Sequence, residues 1–157
     1  MNIIEPVIDS LENFPDLILP LINEIPPENL KRRPAIGKWS AHEHLVHLAE
    51  VHKLFFDRLD LMLREDNPLI KSYEPSRDMQ DGALLKIDLR EALAKFVSER
   101  EVLVEKLKNL AESDWQRAAR HEEYERYNVF VMFRHLALHD NLHAYRIEEI
   151  LLKKDWN

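Results

Sequence analysis

The chain has 157 residues, the length of one ordinary domain, and no cysteine, so neither a disulfide framework nor thiolate metal ligation is available to it. Its formal charge of −7 opposes a phosphate-binding surface, because nucleic-acid affinity comes largely from basic side chains neutralising phosphates; no DNA or RNA partner is expected. The opening MNIIEPVIDS puts an acidic residue where a signal peptide carries basic ones, and no apolar run approaches the roughly 20 residues that span a bilayer, so no membrane partner and a cytoplasmic location are expected.

Only two glycines and no convincing alternating strand appear, and the period that recurs is 3.6. The sequence therefore reads as all-α, one domain over residues 1–157. Residues 3–24 form an amphipathic helix through Val7, Leu11, Phe14, Ile18, Leu21 and Ile25, with Pro15 and Pro20 expected to kink or divide it and Pro26 and Pro27 to end it. Ser40 stands three before Glu43 in a capping-box pattern ahead of LVHLAEVHKLFFDRLDLML, so a second helix runs from near Ser40 to about Arg64. Residues 65–87, with Pro68, Pro75 and Gly82, make a long connection of the kind that joins parallel neighbours in a bundle. Asp88 with Glu91 repeats the cap and starts a third helix to about Leu110, with its stripe on Leu89, Leu93, Phe96, Leu103 and Leu107. After ESDWQRAARHEEYERYN, a fourth helix runs from about Asn128 to Leu152. Four helices with one long crossover, between the second and third, make a four-helix bundle.

Bundles build metal and cofactor sites from side chains that face inward on neighbouring helices, which makes the histidines the chemistry to follow. His135, His139 and His143 recur every four residues along the fourth helix, where a core stripe normally carries Leu, Ile or Val, since a buried ring nitrogen without a partner costs stability. His139 and His143, one turn apart, can hold a single ion through both rings. His135 and His143 lie about 12 Å apart along the axis and about 80° around it, so at most one adjacent pair binds. A third ligand from another helix is His47, on the side of the second helix that carries Val51 and Leu54, with His44 one turn earlier as a substitute. His42 and His52 lie on displaced sides and are expected at the surface or the pocket edge. HEHLVH approaches the HExxH zinc-protease motif, but Val46 stands where the second His must be; no Glu-x-x-His spacing for a di-iron site occurs.

PPENLKRRPAIGKWSAHEHLVHLAEVH, the long central connection and RHLALHDNLHAYRIEEIL together resemble the DinB-like superfamily, which includes YfiT-type proteins and thiol-dependent S-transferases. The resemblance covers nearly the whole chain, and its pattern is GKWSxxExLxHL followed some ninety residues later by HxxxH in a last helix. It implies an up-down-down-up bundle with the second and fourth helices antiparallel, and a divalent metal held by His47, His139 and His143. Zn or Ni is the expected ion, as both prefer imidazole. It also implies a metal-dependent enzyme, a thiol S-transferase or a hydrolase acting on a small molecule such as a low-molecular-weight thiol, with a homodimer as the expected assembly. A metal-binding or stress-related bundle without turnover is the alternative. The register agrees with the antiparallel arrangement: His47 lies about seven residues into its helix and should face residues near 142–145, which favours His143 over His135. His135 is then expected one layer deeper with a hydrogen-bonded partner.

Two further residues are candidates for a chemical role. Glu50, one turn beyond His47, can orient that ring or act as a base. Arg146, where many relatives carry Gln or His, can bind an anionic substrate, such as a thiol's carboxylates, or stand as a surface charge. Glu43 reads as a helix cap, and Trp39, Trp115 and Trp156 as packing aromatics. Three neutral histidines leave coordination positions open for water or substrate, the arrangement of a catalytic site.

Overall fold

A computed structural model describes residues 3–74, 82–154 and 156. Its helices are α1 (Glu5–Glu24), α2 (Pro27–Leu30), α3 (Ala41–Arg64), α4 (Leu89–Lys108), α5 (Glu112–Trp115) and α6 (Val129–Leu151), with a 3-10 turn at Ala83–Lys86. The four long ones, α1, α3, α4 and α6, are the helices read from the sequence. Their starts follow local chemistry: Ser40, Asp88 and Asn128 each accept the N–H three residues on, satisfying a donor that the first helical turn leaves open. Pro75 and the rest of 75–81, in the expected crossover, lie outside the described residues.

One expectation needs correction. Pro15 and Pro20 do not divide α1, which runs undivided past both. Each proline removes one hydrogen bond, to Leu11 O and Asp16 O respectively. Asp16 is exposed, so water can serve its carbonyl, while Leu11 O accepts from Arg100 Nη1 at 3.1 Å. The all-α fold class stands, with one small addition, a parallel pairing of β1 (Leu69–Ile70) with β2 (Arg120–His121). A strand of two residues is too short to display alternation. It pins the crossover to the segment before α6.

Paired side chains give the helix directions. Glu50 meets Lys95 and Asp60 meets Lys106, so α3 and α4 advance together. His47 meets His139 and Phe55 meets Phe133, so α3 and α6 run oppositely. Glu12 meets Lys108 and Phe14 meets Phe96, which makes α1 antiparallel to α4. The bundle is therefore up-down-down-up.

The apolar core falls into two clusters. One holds Leu11, Phe55, Leu59, Leu103, Phe133 and Leu136; the other holds Phe14, Ile18, Leu45, Phe96, Ile147 and Ile150. Between them every long helix passes through a waist, and there the buried side chains His52, Arg100, Asp140, His47 and His143 are polar. A core interrupted at one level by charge and imidazole costs stability unless those groups are paired. The waist is where the histidines converge.

Candidate metal centre

The N-terminus of α3 is fastened before the site begins. Ser40 Oγ accepts the Glu43 N–H at 3.2 Å, and Glu43 Oε2 accepts the Ser40 N–H at 2.9 Å, the reciprocal pattern expected from the sequence. Arg33 adds two donors to the same carboxylate, Nε to Oε2 at 3.0 Å and Nη2 to Oε1 at 2.5 Å. His44 and His47 follow in the first two turns, on a helix end fastened by these hydrogen bonds.

Antiparallel packing brings α6 against them. His47 Nε2 lies 3.0 Å from His139 Nε2, which lies 3.1 Å from His143 Nε2, and one ligating nitrogen from each ring sits within 4.8 Å of the others. In a tetrahedral zinc site with Zn–N bonds of about 2.0–2.1 Å, neighbouring nitrogens stand roughly 3.3 Å apart, so these rings need little adjustment to close on one ion. Two imidazole lone pairs at such distances require a proton or a cation between them. Burial pushes His47 down to about 3 and His143 to about 2, leaving both rings neutral near pH 7, the state that ligates a metal. His139 is the most open of the three, its side chain 21% exposed. The donor set fits a divalent ion of borderline softness.

His44 joins the cluster through His143 rather than beside it: the two Nδ1 atoms are 2.7 Å apart, so one ring donates and the other accepts. Trp39, read as a packing aromatic, packs on the site itself, 5.0 Å from the His47 ring and stacked on His143 at 6.0 Å. Neither candidate for a chemical role faces the three rings directly. The Glu50 carboxylate is taken by Lys95 Nζ at 2.9 Å on the α3–α4 surface. Arg146 Nη1 donates to Glu149 Oε2 at 2.7 Å and borders a cavity of about 370 Å³ together with Lys38, Trp39, His44 and Ile150. A second cavity, about 200 Å³, opens on the His139 side and is walled by Tyr73, His121, Tyr124, Tyr127 and His135. The histidine cluster thus stands between a cavity bordered by Lys38, Arg146 and Glu149 and an aromatic one.

Three histidine expectations are corrected. His135 is exposed and 5.9 Å from the Tyr124 ring, not one layer deeper; the segment after β2 packs over this end of α6 and draws the ring outward. His42 and His52 are buried, not superficial. His42 Nε2 donates to the carbonyls of Leu84 and Ile87, at 3.1 and 3.0 Å, because the 3-10 turn covers its side of α3. His52 Nε2 accepts from Arg100 Nε at 3.1 Å, because α4 covers the other side. Sequence reasoning also passed over Asp140, buried between the two ligand candidates of α6; its position inside HDNLH was the available signal.

Fold and site together define a helical bundle with a candidate three-histidine centre between its second and last long helices. The sequence pattern of the DinB superfamily matches residues 10–147, and the chain belongs to that superfamily. It is 26% identical to a protein of Oceanobacillus iheyensis named "putative metal-dependent hydrolase", over 98% of this chain and 89% of that one. A Halalkalibacterium halodurans protein with the same description is 27% identical over 74% of this chain and 68% of its own length. Among solved structures, YfiT from Bacillus subtilis, described as "a probable metal-dependent hydrolase with an unusual four-helix bundle topology", superposes with a TM-score of 0.80 over 94% of this chain and 85% of its own, at 20% identity. No helix among the described residues is long and apolar enough to cross a membrane.

Proposed function

We propose that this chain is a divalent-metal-dependent enzyme that works on a small molecule, with His47, His139 and His143 holding the ion, Zn or Ni. The observation that carries this reading is the convergence of three ring nitrogens from two helices, with cavities on either side. When bound, such an ion lowers the pKa of a bound water toward about 7 or stabilises a thiolate at neutral pH, which serves hydrolysis and thiol transfer alike. The relatives' names favour hydrolysis.

The chain's own residues favour an anionic substrate or co-substrate. Lys38 and Arg146 border the larger cavity, Trp39 offers it a flat apolar wall, and His44 connects it to His143. A low-molecular-weight thiol bearing carboxylates suits that combination: guanidinium and ammonium take the carboxylates while the sulfur reaches the histidines. Arg146 must leave Glu149 to do so, an exposed pair of small worth.

The test is metal analysis of purified protein followed by activity screens. One equivalent of metal is expected, lost in His47→Ala, His139→Ala and His143→Ala and kept in His135→Ala. Loss in all four would show that the ligand set is wrong. Ester and amide hydrolysis and thiol conjugation are then compared in the wild type and Arg146→Gln. A thiol clamp predicts about 10–100-fold weaker binding of carboxylate-bearing thiols in the variant, from about 1.5–3 kcal/mol for hydrogen bonds to charged groups, with neutral thiols unaffected. Metal binding without turnover in any screen would instead support the non-catalytic alternative.

A further inference from the structure

Behind the three histidines lies a buried ion pair to which nothing above gives a task. Arg100 and Asp140 are each 1% exposed and meet at 2.7 Å, Nη2 to Oδ2. Burying two charges costs more in desolvation than their attraction returns unless further hydrogen bonds satisfy both. For Arg100 they exist. Nε donates to His52 Nε2 at 3.1 Å, Nη1 donates to Leu11 O at 3.1 Å, and the guanidinium lies 4.9 Å from the Phe96 ring and 5.9 Å from that of Phe14. The Leu11 carbonyl is open to it because Pro15, four residues on, has no N–H to close that turn of α1.

Asp140 is poorly served: its Oδ2 meets Arg100 Nη2 as an ion contact, and neither carboxylate oxygen has a hydrogen-bond partner among the described residues. With Oδ2 on Arg100, its Oδ1 stands 3.6 Å from His139 Nδ1, and that ring nitrogen is itself buried with no hydrogen-bond partner among the described residues. Asp140 Oδ1 and His139 Nδ1, both without a hydrogen-bond partner, belong to adjacent residues and approach one another. The arrangement differs from that of His143, whose Nδ1 already has His44 at 2.7 Å.

We propose that Asp140 is a positioning residue for His139. A closing of a few tenths of an ångström from 3.6 Å lets Oδ1 accept the Nδ1–H of that ring, which leaves Nε2 as the nitrogen presented to His47 and His143, and Arg100 holds the carboxylate in place through its other oxygen. A carboxylate behind a ligating imidazole fixes tautomer and ring orientation and raises the basicity of the ligand. His139 has the greatest need of it, being the most open ring of the cluster. The consequence for metal affinity rests on the metal-site reading above; the tautomer does not.

The experiment uses ¹⁵N-labelled full-length protein in two states. In metal-free wild type, ring-nitrogen shifts should show His139 protonated at Nδ1. The double variant Arg100→Met/Asp140→Leu replaces the pair by apolar side chains and spares the fold a lone buried charge. It should lose that tautomer preference and bind Zn about 10–100-fold more weakly in chelator competition, with helical circular dichroism unchanged. Asp140→Asn would leave Arg100 without its anion, so if the double variant does not fold, the tautomer of the metal-free wild type alone decides. A wild-type His139 protonated at Nε2, or a folded double variant that binds Zn as tightly as wild type, overturns the proposal. Failure of the wild type to bind any metal would defeat the metal-site reading, while the metal-free tautomer would still decide this one.

Discussion

Glu43→Gln should destabilise the protein well beyond an ordinary capping change. The carboxylate is fully buried and accepts from the Ser40 N–H and from both Nε and Nη2 of Arg33. A glutamine of the same shape keeps one accepting oxygen and turns an NH₂ toward a partner that can only donate. Removing one member of a fully buried ion pair costs about 3–5 kcal/mol. Here the Arg33 side chain is 35% exposed and can return to water, which brings the expected loss to about 2 kcal/mol, within the range for hydrogen bonds to charged groups. For a chain of this length that is a fall in Tm of about 4–8 °C, read by thermal and urea unfolding at pH 7. Burial opposes ionisation of Glu43, yet the hydrogen bonds from Arg33 and Ser40 and the Arg33 charge outweigh it and hold the carboxyl below its ordinary value. A depressed carboxyl gives stability that is present above its unfolded pKa and lost as pH falls through the folded one. The wild-type advantage should therefore close in acid, below about pH 4.5. A variant melting within about 1 °C of wild type at pH 7, or a gap that persists undiminished to pH 3, would refute this account of the α3 start.

Two further outcomes are expected. Chelation of the purified protein should lower Tm only modestly and leave the helical circular dichroism intact, because two apolar clusters flank the waist without using it; unfolding on chelation would make the ion structural and weaken the enzyme reading. Metal-free protein should lose stability as pH falls below about 6.5, because burial places His44 at about 4 and His47 and His52 at about 3, so the unfolded chain takes up protons that the native one refuses. Stability from these depressed histidines is fully present above the unfolded value and drains away toward the folded ones. A Tm that stays level between pH 7 and pH 4 would contradict their neutral burial.

What the sequence disclosed was local. The caps at Ser40 and Asp88 depend on residues three apart, and the pairing of His139 with His143 on one turn of helix, so both could be read without knowing what packs where. The match of His47 to His143 needed one more assumption, the antiparallel run of α3 and α6, and it came from a family resemblance checked by register. Periodicity failed where its premise fails. It supposes one buried face per helix, but nearly every residue of α3 from Ala41 to Val51 is covered, by α4, α6 and the 3-10 turn together, so the displaced positions of His42 and His52 were no guide to exposure. His135 failed in the opposite sense: it shares the stripe of its neighbours, and only the packing of a distant loop decides that its ring turns outward.

Arg100 shows where the limit lies. Along α4 the apolar residues fall at Leu93, Phe96, Leu103 and Leu107, and Arg100 occupies the slot between, a core position by period filled with a fixed cation. A cation there demands an anion and several acceptors, because an unpaired buried charge is too costly to keep. That much follows from α4 alone. Which acceptors answer does not, since they come from Pro15 freeing the Leu11 carbonyl on α1, from His52 on α3 and from Asp140 on α6, each remote in sequence. Each of these residues looks like an exception in its own helix: a proline in mid-helix, a histidine on a covered side, an aspartate beside a ligand candidate. Placed at one level of the bundle they satisfy one another. The polar waist that costs the core its continuity is also what can hold His139 in a single orientation.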